Sequence, residues 1–378
     1  MNMEGKTRIY RFLTSVFGGS LILFVFFSFV ACPDLPDTKP ELADCPVGQS
    51  PCEDDTSSCC WDTTSHNFTW EIDTLGISGT LRDVQIIDEN NIWVVGEIET
   101  DTATYNAARW DGNDWEYIEI VSGSIELYSI LYFNENDIWV CSGIPMHWDG
   151  LEWTYYHLWD MGILGPDDGG VEYIWGTSSS DLYFVGRKGS IVYYDGTTFT
   201  KMNSPTTQDL DGIVGVVDAE TGEKRIWAYG WTDYPNRGLL LQSDGTEWEI
   251  VWDEHDPFFE DEQYVEPILW VNEQHFVAVV AGSNDSQISI HSTSNIQDYK
   301  IIHNDTEGWT QTMSGINENN LFFAGQFGNI FHFNGSTIEY YSIPEISDDF
   351  YFLGSDMNND MVLIVSLSNY ILKGYRVN

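Results

Sequence analysis

Acidic side chains gather in one segment of the chain that has no counterpart elsewhere in the sequence. The segment runs from Trp252 to Pro267 and holds Asp253, Glu254, Asp256, Glu260, Asp261 and Glu262, with His255, Phe258 and Phe259 among them. Carboxylate oxygens with no cation beside them suit a hard divalent metal ion or a basic ligand. We therefore predict Ca²⁺ binding at Asp253, Asp256, Glu260 and Asp261, although the sequence contains no DxDxDG calcium loop. The alternative is that no cofactor binds and that these carboxylates are simply solvated.

Aromatic and acidic side chains of other segments extend this candidate ligand-binding face. Beside Asp253, Glu254, His255, Asp256, Phe258 and Phe259, we place on it Trp159, Asp160, Asp167, Asp168 and Trp309. The aromatic side chains could stack on the rings of a glycan or pack against a protein partner. Equally, they could cover one end of the fold.

The tests for catalysis give no catalytic residue. Glycoside hydrolysis needs two carboxylates at a set separation, and carboxylates are too abundant here to exclude it. A sialidase-like site would need several arginines on one face, whereas those beyond residue 31 are scattered at Arg82, Arg109, Arg187, Arg225, Arg237 and Arg376. The sequence has no GxSxG elbow, HExxH pair, P-loop or dinucleotide fingerprint. We therefore favour a protein that is not an enzyme.

A repeated Asp-Gly turn indicates the scaffold that carries this face. The turn reads WDGNDW, WDGLEW, YDGTTF and SDGTEW around Asp111, Asp149, Asp195 and Asp244, and a weaker copy reads FNGSTI. Asp-Gly suits a tight hairpin because both residues tolerate positive φ. Since these aspartates recur once per repeat, we interpret them as structural blade turns and not as a convergent metal or catalytic cluster.

A second repeat lies ahead of each turn and sets the period. Short aromatic strands carry Trp93, Trp139, Tyr183, Trp227 and Phe322, and the first four are 46, 44 and 44 residues apart. Four strands at this period are typical of a propeller blade. The sequence therefore predicts an all-β fold, a seven-bladed β-propeller of four-stranded blades, with six or eight blades as less favoured alternatives. The non-repeating loops should gather on one face, which is where function usually lies.

The last unit has room for only three strands before the chain ends at Asn378. The segment His66–Gly76 looks like an isolated outer strand ahead of the first full blade. We predict that it closes the ring by completing the last blade, so that the propeller domain spans residues 66–378.

The N-terminus predicts export. Residues 1–31 have a basic start and an apolar run from Phe12 to Val30 that ends in SFVAC at Cys32. We interpret them as a lipoprotein signal peptide with lipid attachment at Cys32, a plain signal peptide or a membrane anchor being the alternatives. The expected location is a bacterial membrane, at the outer membrane or cell surface.

Residues 32–65 form a tether rich in Pro, Asp and Cys. Export to an oxidising compartment makes two disulfides plausible among Cys45, Cys52, Cys59 and Cys60, with the connectivity open. Cys141 stands alone in a strand and should be a buried thiol.

The formal net charge of −45 limits the partners. Nucleic acid is not expected, because phosphates need cations. A large negative charge favours solubility, and we expect a monomer.

The blade pattern resembles that of exported bacterial β-propeller lipoproteins, whose blades read roughly sxxDIWxVGxxGxIxHWDGxxW. The match is clearest at Asp137–Trp153 and Asp181–Phe199, and Asp62–Gly76 is similar to the start of such proteins. The turn also resembles the Asp-box of sialidase-like propellers, with one residue fewer in its spacing.

The resemblance, over residues 62–378, implies a surface binding or assembly module. The leading hypothesis is a lipid-anchored propeller that binds a ligand, a glycan or a protein, through its acidic loop face without catalysis. The alternatives are a carbohydrate-active enzyme, a glycosidase or glycosyltransferase, that uses loop carboxylates, and a purely structural envelope protein.

Overall fold

The structure is a computed structural model that describes residues 49–51, 59–61, 64–231, 238–253, 266–272, 275–281, 286–306 and 310–377. Across these ranges the regular structure is thirty β-strands and one short 3₁₀ turn at Arg187–Gly189. The helices of the described residues include none with the length and apolar character needed to cross a membrane.

The strands follow one another in short runs separated by turns. Ahead of the first blade lie β1 (Gln49–Pro51), β2 (Cys59–Trp61) and β3 (Phe68–Thr74). Blade 1 comprises β4 (Ser78–Asp88), β5 (Asn91–Glu99), β6 (Thr104–Trp110) and β7 (Trp115–Ile118). Blade 2 comprises β8 (Ser129–Asn134), β9 (Asp137–Cys141), β10 (Pro145–Trp148) and β11 (Trp153–Tyr155). Blade 3 comprises β12 (Val171–Ser178), β13 (Asp181–Gly186), β14 (Ile191–Tyr194) and β15 (Phe199–Lys201).

The second half of the chain continues the series. Blade 4 comprises β16 (Leu210–Val217), β17 (Lys224–Trp231), β18 (Gly238–Ser243) and β19 (Trp248–Trp252). Blade 5 comprises β20 (Glu266–Val271), β21 (His275–Ala281), β22 (Ser286–Ser292) and β23 (Asn295–Thr306). Blade 6 comprises β24 (Thr310–Asn317), β25 (Asn320–Gly325), β26 (Ile330–Phe333) and β27 (Ile338–Tyr340). The last strands are β28 (Phe352–Met357), β29 (Met361–Ser366) and β30 (Tyr370–Arg376).

Each blade is a four-stranded antiparallel sheet, as expected for a β-propeller. The strand order within the described residues shows six sheets built from four consecutive strands. A further four-stranded sheet is composite, in the order β28-β29-β30-β3, and we call it blade 7. A separate two-stranded sheet joins β1 to β2.

The N-terminal strand closes the ring, as predicted from the sequence. Strand β3 pairs with β30 in antiparallel register, from Phe68 opposite Arg376 to Thr74 opposite Tyr370. Blade 7 therefore exists only when both ends of the propeller domain meet. This arrangement protects the edge that β30 would otherwise expose.

The core lies between blades, not inside any one of them. In β5, Ile92 and Val94 pack against blade 7, whereas Trp93 and Val95 pack against blade 2. Because both faces of such a strand are buried, its sequence is a continuous apolar run without alternation. The Cys141 thiol is likewise buried, and its Sγ lies 3.1 Å from the carbonyl oxygen of Val171.

The Asp-Gly turns use their carboxylates on their own backbones. Asp149 Oδ1 accepts the backbone N–H groups of Leu151 and Glu152, at 2.8 and 3.0 Å. The same pattern occurs at Asp111, Asp195 and Asp244. These hydrogen bonds lower the pKa of Asp111 and Asp149, so each carboxylate stays charged as an acceptor within its turn.

The antiparallel order gives the ring two different faces. The first and third turns of every blade, including the Asp-Gly turns, lie at one end of the strands, which we call the turn face. The links from the outer strand of one blade to the inner strand of the next lie at the other end, which we call the loop face. Thr64 hydrogen-bonds to Asn319 and Asn334 in turns of blade 6, so the chain enters the ring at the turn face.

Candidate functional site

A cavity opens on the loop face where the inner strands begin. Its volume is about 420 Å³, and the first strand or its approach in every blade contributes to the lining. One lining residue from each blade, in order from blade 1 to blade 7, is Asp83, Ser129, Tyr173, Asp211, Leu269, Thr312 and Ser355. This cavity is the mouth of the central channel.

Two arginine–glutamate pairs lie close to Tyr128, which lines the channel mouth together with Arg82. Arg82 forms a two-point contact with Glu126, with nitrogen–oxygen distances of 2.6 and 3.1 Å. Arg187 Nε lies 2.7 Å from Glu172 Oε1, and the Arg187 side chain is 57% exposed. The second pair therefore presents a guanidinium to solvent in a protein that is otherwise strongly acidic.

The environment of these pairs adjusts their proton affinities. Burial opposes the charged form of Arg82, but the hydrogen bond and charge of Glu126 raise its pKa overall. Burial raises the pKa of Glu172, against the opposing effect of Arg187. The Arg187 guanidinium therefore favours the charged form of Glu172, which burial disfavours because the carboxylate is the less exposed partner.

Tyrosines fill the space beside the charges. The Arg82 guanidinium lies 4.9 Å from the ring centre of Tyr128, and Tyr128 meets Tyr173 edge to face at 6.2 Å. Burial raises the pKa of both phenols, so they remain neutral and can donate hydrogen bonds. Tyrosine and arginine are the residue types that most often anchor protein interfaces.

Two buried carboxyl groups lie deeper along the inner strands. Burial raises the pKa of Asp83 to about 7 and that of Asp356 to about 6. Asp83 nevertheless accepts the backbone N–H of Ile130 in blade 2, and Asp356 accepts that of Ile86 in blade 1. Each carboxyl thus links the inner strands of neighbouring blades, which gives it a structural role.

The loop between blades 2 and 3 carries four of the predicted binding residues. Asp168 Oδ1 pairs with Lys201 at 2.6 Å, and its Oδ2 accepts the backbone N–H of Gly165. The backbone carbonyl of Asp167 accepts a hydrogen bond from Lys188, while the side chains of Trp159 and Asp160 are exposed. Asp168 therefore holds the loop closed, and Trp159 and Asp160 are left available on the loop face.

Most of the predicted acidic segment lies outside the described residues. Asp253 is described, at the end of blade 4. The predicted site residues outside the described ranges are Glu254, His255, Asp256, Phe258, Phe259, Glu260, Asp261 and Trp309, together with Cys32, Cys45 and Cys52. No group of three or more His, Cys, Asp or Glu side chains among the described residues is arranged to hold a metal ion. Cys59 and Cys60 lie in β2, opposite Pro51 and Ser50 of β1.

Arg82 and Arg187 are two functional residues that the sequence did not predict, because there they are only two of several scattered arginines. Both stand at the loop-face ends of strands, Arg82 near the start of β4 and Arg187 directly after β13. Their position relative to the strand ends is the available signal, because the first strand of each blade begins, and the second ends, at the loop face beside the channel.

Comparison with known proteins shows the fold alone. No family model matches the chain. No curated protein is significantly similar to it in sequence. Among solved structures, a catalytically inactive virginiamycin B lyase from Staphylococcus aureus with quinupristin aligns with a TM-score of 0.63 at 13% identity, over 82% of this chain and 100% of that one.

Two further structures show the same likeness. YCF48 bound to D1 peptide aligns with a TM-score of 0.59 at 16% identity, over 84% of this chain and 100% of that chain. The WD40 β-propeller domain of Doa1 aligns with a TM-score of 0.56 at 12% identity, over 82% and 98%. The chain is therefore similar in fold to β-propeller proteins that include both enzymes and binding proteins.

Proposed function

We propose that this protein is a lipid-anchored binding module of the cell envelope that engages a polypeptide partner through its loop face, without catalysis. The observation that carries the proposal is the channel mouth, where the exposed Arg187 and the pair of Arg82 with Tyr128 converge. A cavity of about 420 Å³ accommodates one or two partner side chains, while the surrounding loops supply acidic groups for a wider contact. The peptide bound to YCF48, a propeller of similar fold, is consistent with this use.

Affinity capture from envelope extracts tests the proposal. The full chain, Arg187→Gln and Lys300→Gln would be immobilised in parallel, because the two variants lose the same charge at different places. Lys300 is exposed on the outer strand of blade 5, far in the fold from the inner strands. We expect wild type and Lys300→Gln to retain the same partner and Arg187→Gln to lose at least tenfold of it. Equal retention by all three would contradict the proposal.

The lipid anchor is a separate part of the proposal, and it rests on the N-terminal apolar run that ends in SFVAC at Cys32. Palmitate labelling of wild type and of Cys32→Ser tests it directly. Label should enter only the wild type, and the variant should leave the membrane fraction. Label in both proteins, or in neither, would contradict lipid attachment at Cys32.

A glycosidase is the second candidate, because Asp83 and Asp356 have the raised pKa values that a general acid needs. Their hydrogen bonds to neighbouring backbones argue for a structural role instead. Hydrolysis of a chromogenic glycoside panel that disappears in Asp83→Asn, in a protein with unchanged melting temperature, would favour the enzyme.

Ca²⁺ binding by the Trp252–Pro267 segment remains a proposal drawn from its carboxylates. Calorimetric titration of the full chain with CaCl₂ should then release heat and raise the melting temperature. Absence of both effects would remove Ca²⁺ from the account.

A further inference from the structure

A groove of about 530 Å³ lies between blades 1 and 2 on the turn face, away from the channel mouth. Blade 1 lines it with Trp93, Arg109 and Glu116, and blade 2 lines it with Asn136, Trp148 and Trp153. Trp148 and Trp153 flank the Asp-Gly turn of their blade, and their ring centres are 5.7 Å apart. The groove therefore combines three indole rings with charged and amide groups.

The preceding junction, between blades 7 and 1, has the same tryptophan pair but is filled from within. Its rings, Trp110 and Trp115, are 5.5 Å apart. The Lys373 ammonium lies 3.9 Å from the ring centre of Trp110 and 2.5 Å from Asp73 Oδ2. Asp73 also accepts the indole N–H of Trp115 at 2.8 Å. The Lys373 ammonium, the Asp73 carboxylate and the indole N–H of Trp115 are thus paired within the chain itself.

The register shows what changes in the groove. Lys373 stands opposite Leu363 in blade 7, as Arg109 stands opposite Trp93 in blade 1. By the same register, the place of Asp73 is taken in blade 1 by Ile118, which has no side-chain acceptor. Trp153 therefore lacks the acceptor that Trp115 finds in Asp73.

Two further donors face the same shortage. The Nε1 of Trp93 is buried and has no hydrogen-bond partner within the described part of the chain. Arg109 donates through Nε to Asn91 Oδ1 at 2.9 Å, and among the described residues this bond occupies one of its five N–H groups. Arg109 lines the groove and is only partly buried, so a ligand that supplies acceptors to its guanidinium would be stabilised here.

The next junction shows that an open groove is not a general result of the repeat. Between blades 2 and 3, Trp139 stacks on His147 at 4.2 Å and on Tyr156 at 5.7 Å. Its indole N–H donates to Ser179 Oγ at 2.8 Å. The junction of blades 1 and 2 therefore differs from both neighbours in having ring faces and donors to spare.

We infer that this groove is a saccharide-binding site, with a preference for sugars that carry a carboxylate. The C–H face of a pyranose ring packs on an indole, while ring hydroxyls accept from the indole N–H of Trp153 and donate to Glu116 and Asn136. The indole N–H of Trp148 already donates to the backbone carbonyl of Glu135 at 3.1 Å. Arg109 supplies the charge-assisted donors that a uronate carboxylate requires. This inference is independent of the partner proposed for the loop face.

Calorimetric titration of the full chain tests the inference with four probes of defined composition: cellohexaose, chitohexaose, maltohexaose and a galacturonate hexamer. The galacturonate hexamer should bind more tightly than the three neutral probes, and Trp153→Ala should weaken its Kd by at least tenfold. Leu151→Ser is the matched control, because Leu151 lies in the same turn, is 86% exposed and does not line the groove. Its Kd should stay within twofold of wild type.

Arg109→Gln provides a second variant in case Trp153→Ala fails to fold. It should weaken the galacturonate hexamer at least tenfold and the neutral hexamers by less. Binding of no probe by wild type, or binding that neither groove variant changes, would overturn the inference.

Discussion

The turn face and the loop face of this propeller are built by the same strands but use their polar side chains differently. On the turn face, carboxylates such as Asp149 accept hydrogen bonds from their own turns. On the loop face, Arg187 and Glu172 pair side chain to side chain at the channel mouth. Groups on the turn face should therefore affect stability first, and exposed groups on the loop face should affect binding first.

The largest expected effect comes from the closing strand. Deleting residues 67–72 removes most of β3, including Phe68 and Trp70, which pack on blade 6, and it exposes the edge of β30. Cooperative thermal unfolding should be lost in a circular-dichroism melt. An unchanged melting curve would show that the ring does not depend on this strand.

The next largest effect is on stability and distinguishes a buried cation, Lys373, from an exposed one, Arg187. Lys373 is 4% exposed and pairs with Asp73, whereas the Arg187 side chain is 57% exposed. Lys373→Met should cost about 3 kcal/mol of unfolding free energy, because it leaves a carboxylate and two indoles without their cation. Arg187→Met should cost less, about 1–2 kcal/mol, because the exposed guanidinium is lost cheaply but Glu172, which is 11% exposed, is left without its cation. Urea denaturation of both variants measures the two losses of unfolding free energy. Equal losses would contradict the prediction that Lys373 contributes more to stability than Arg187.

A fall in pH should lower the stability that His332 contributes on the turn face and raise the stability that Asp83 contributes on the loop face. On the turn face, His332 contacts His66 at 2.8 Å, and burial, with smaller contributions from His66 and Arg376, lowers its pKa to about 3. The unfolded chain takes up this proton below about pH 6.5, so stability contributed by His332 falls by up to about 1.4 kcal/mol per unit as pH drops towards 3. Asp83, with a pKa of about 7, instead gives stability that is lost as pH rises from about 4 through 7.

A substitution separates the two contributions. His332→Phe should lose less unfolding free energy than wild type when urea denaturation is repeated at pH 7 and pH 5. Asp83→Asn should lose more unfolding free energy than wild type between pH 7 and pH 5. Parallel behaviour of wild type and both variants would remove these groups from the pH response.

The smallest effect concerns a single turn. Gly150 has a φ of +90°, and a Cβ there would lie 2.3 Å from Asn136 Oδ1. Gly123 has a φ of +96° with nothing within 4 Å of the added Cβ. Gly150→Ala should therefore cost about 1–2 kcal/mol more than Gly123→Ala, which carries the backbone strain alone. Equal costs would show that contact with Asn136 does not matter.

The same contrast explains how far the sequence could predict this molecule. Turn-face features repeat, so Asp149, the four-stranded blades and the closing strand Phe68–Thr74 could be predicted from local patterns. Loop-face features arise where non-repeating segments meet in space. Arg82 and Arg187 are 105 positions apart in the chain, and only the ring brings Arg82 into the lining of the channel mouth and Arg187 close to the lining residue Tyr128.

The groove between blades 1 and 2 shows a second limit of local patterns. WDGNDW and WDGLEW predict equal turns, and the two tryptophan pairs are indeed alike. Whether a pair is filled depends on the neighbouring blade, through Lys373 and Asp73 in one junction and Arg109 and Ile118 in the other. That information lies in the register between distant strands.

Photo-cross-linking in intact envelopes tests the division between the faces most directly. A photoreactive phenylalanine would replace Trp159 on the loop face or Leu151 on the turn face, which are 40% and 86% exposed. Random collisions would favour Leu151, because it is the more exposed. We expect a discrete protein adduct from Trp159→photoreactive phenylalanine and none from the Leu151 variant. A protein adduct from Leu151 alone would contradict the assignment of partner binding to the loop face.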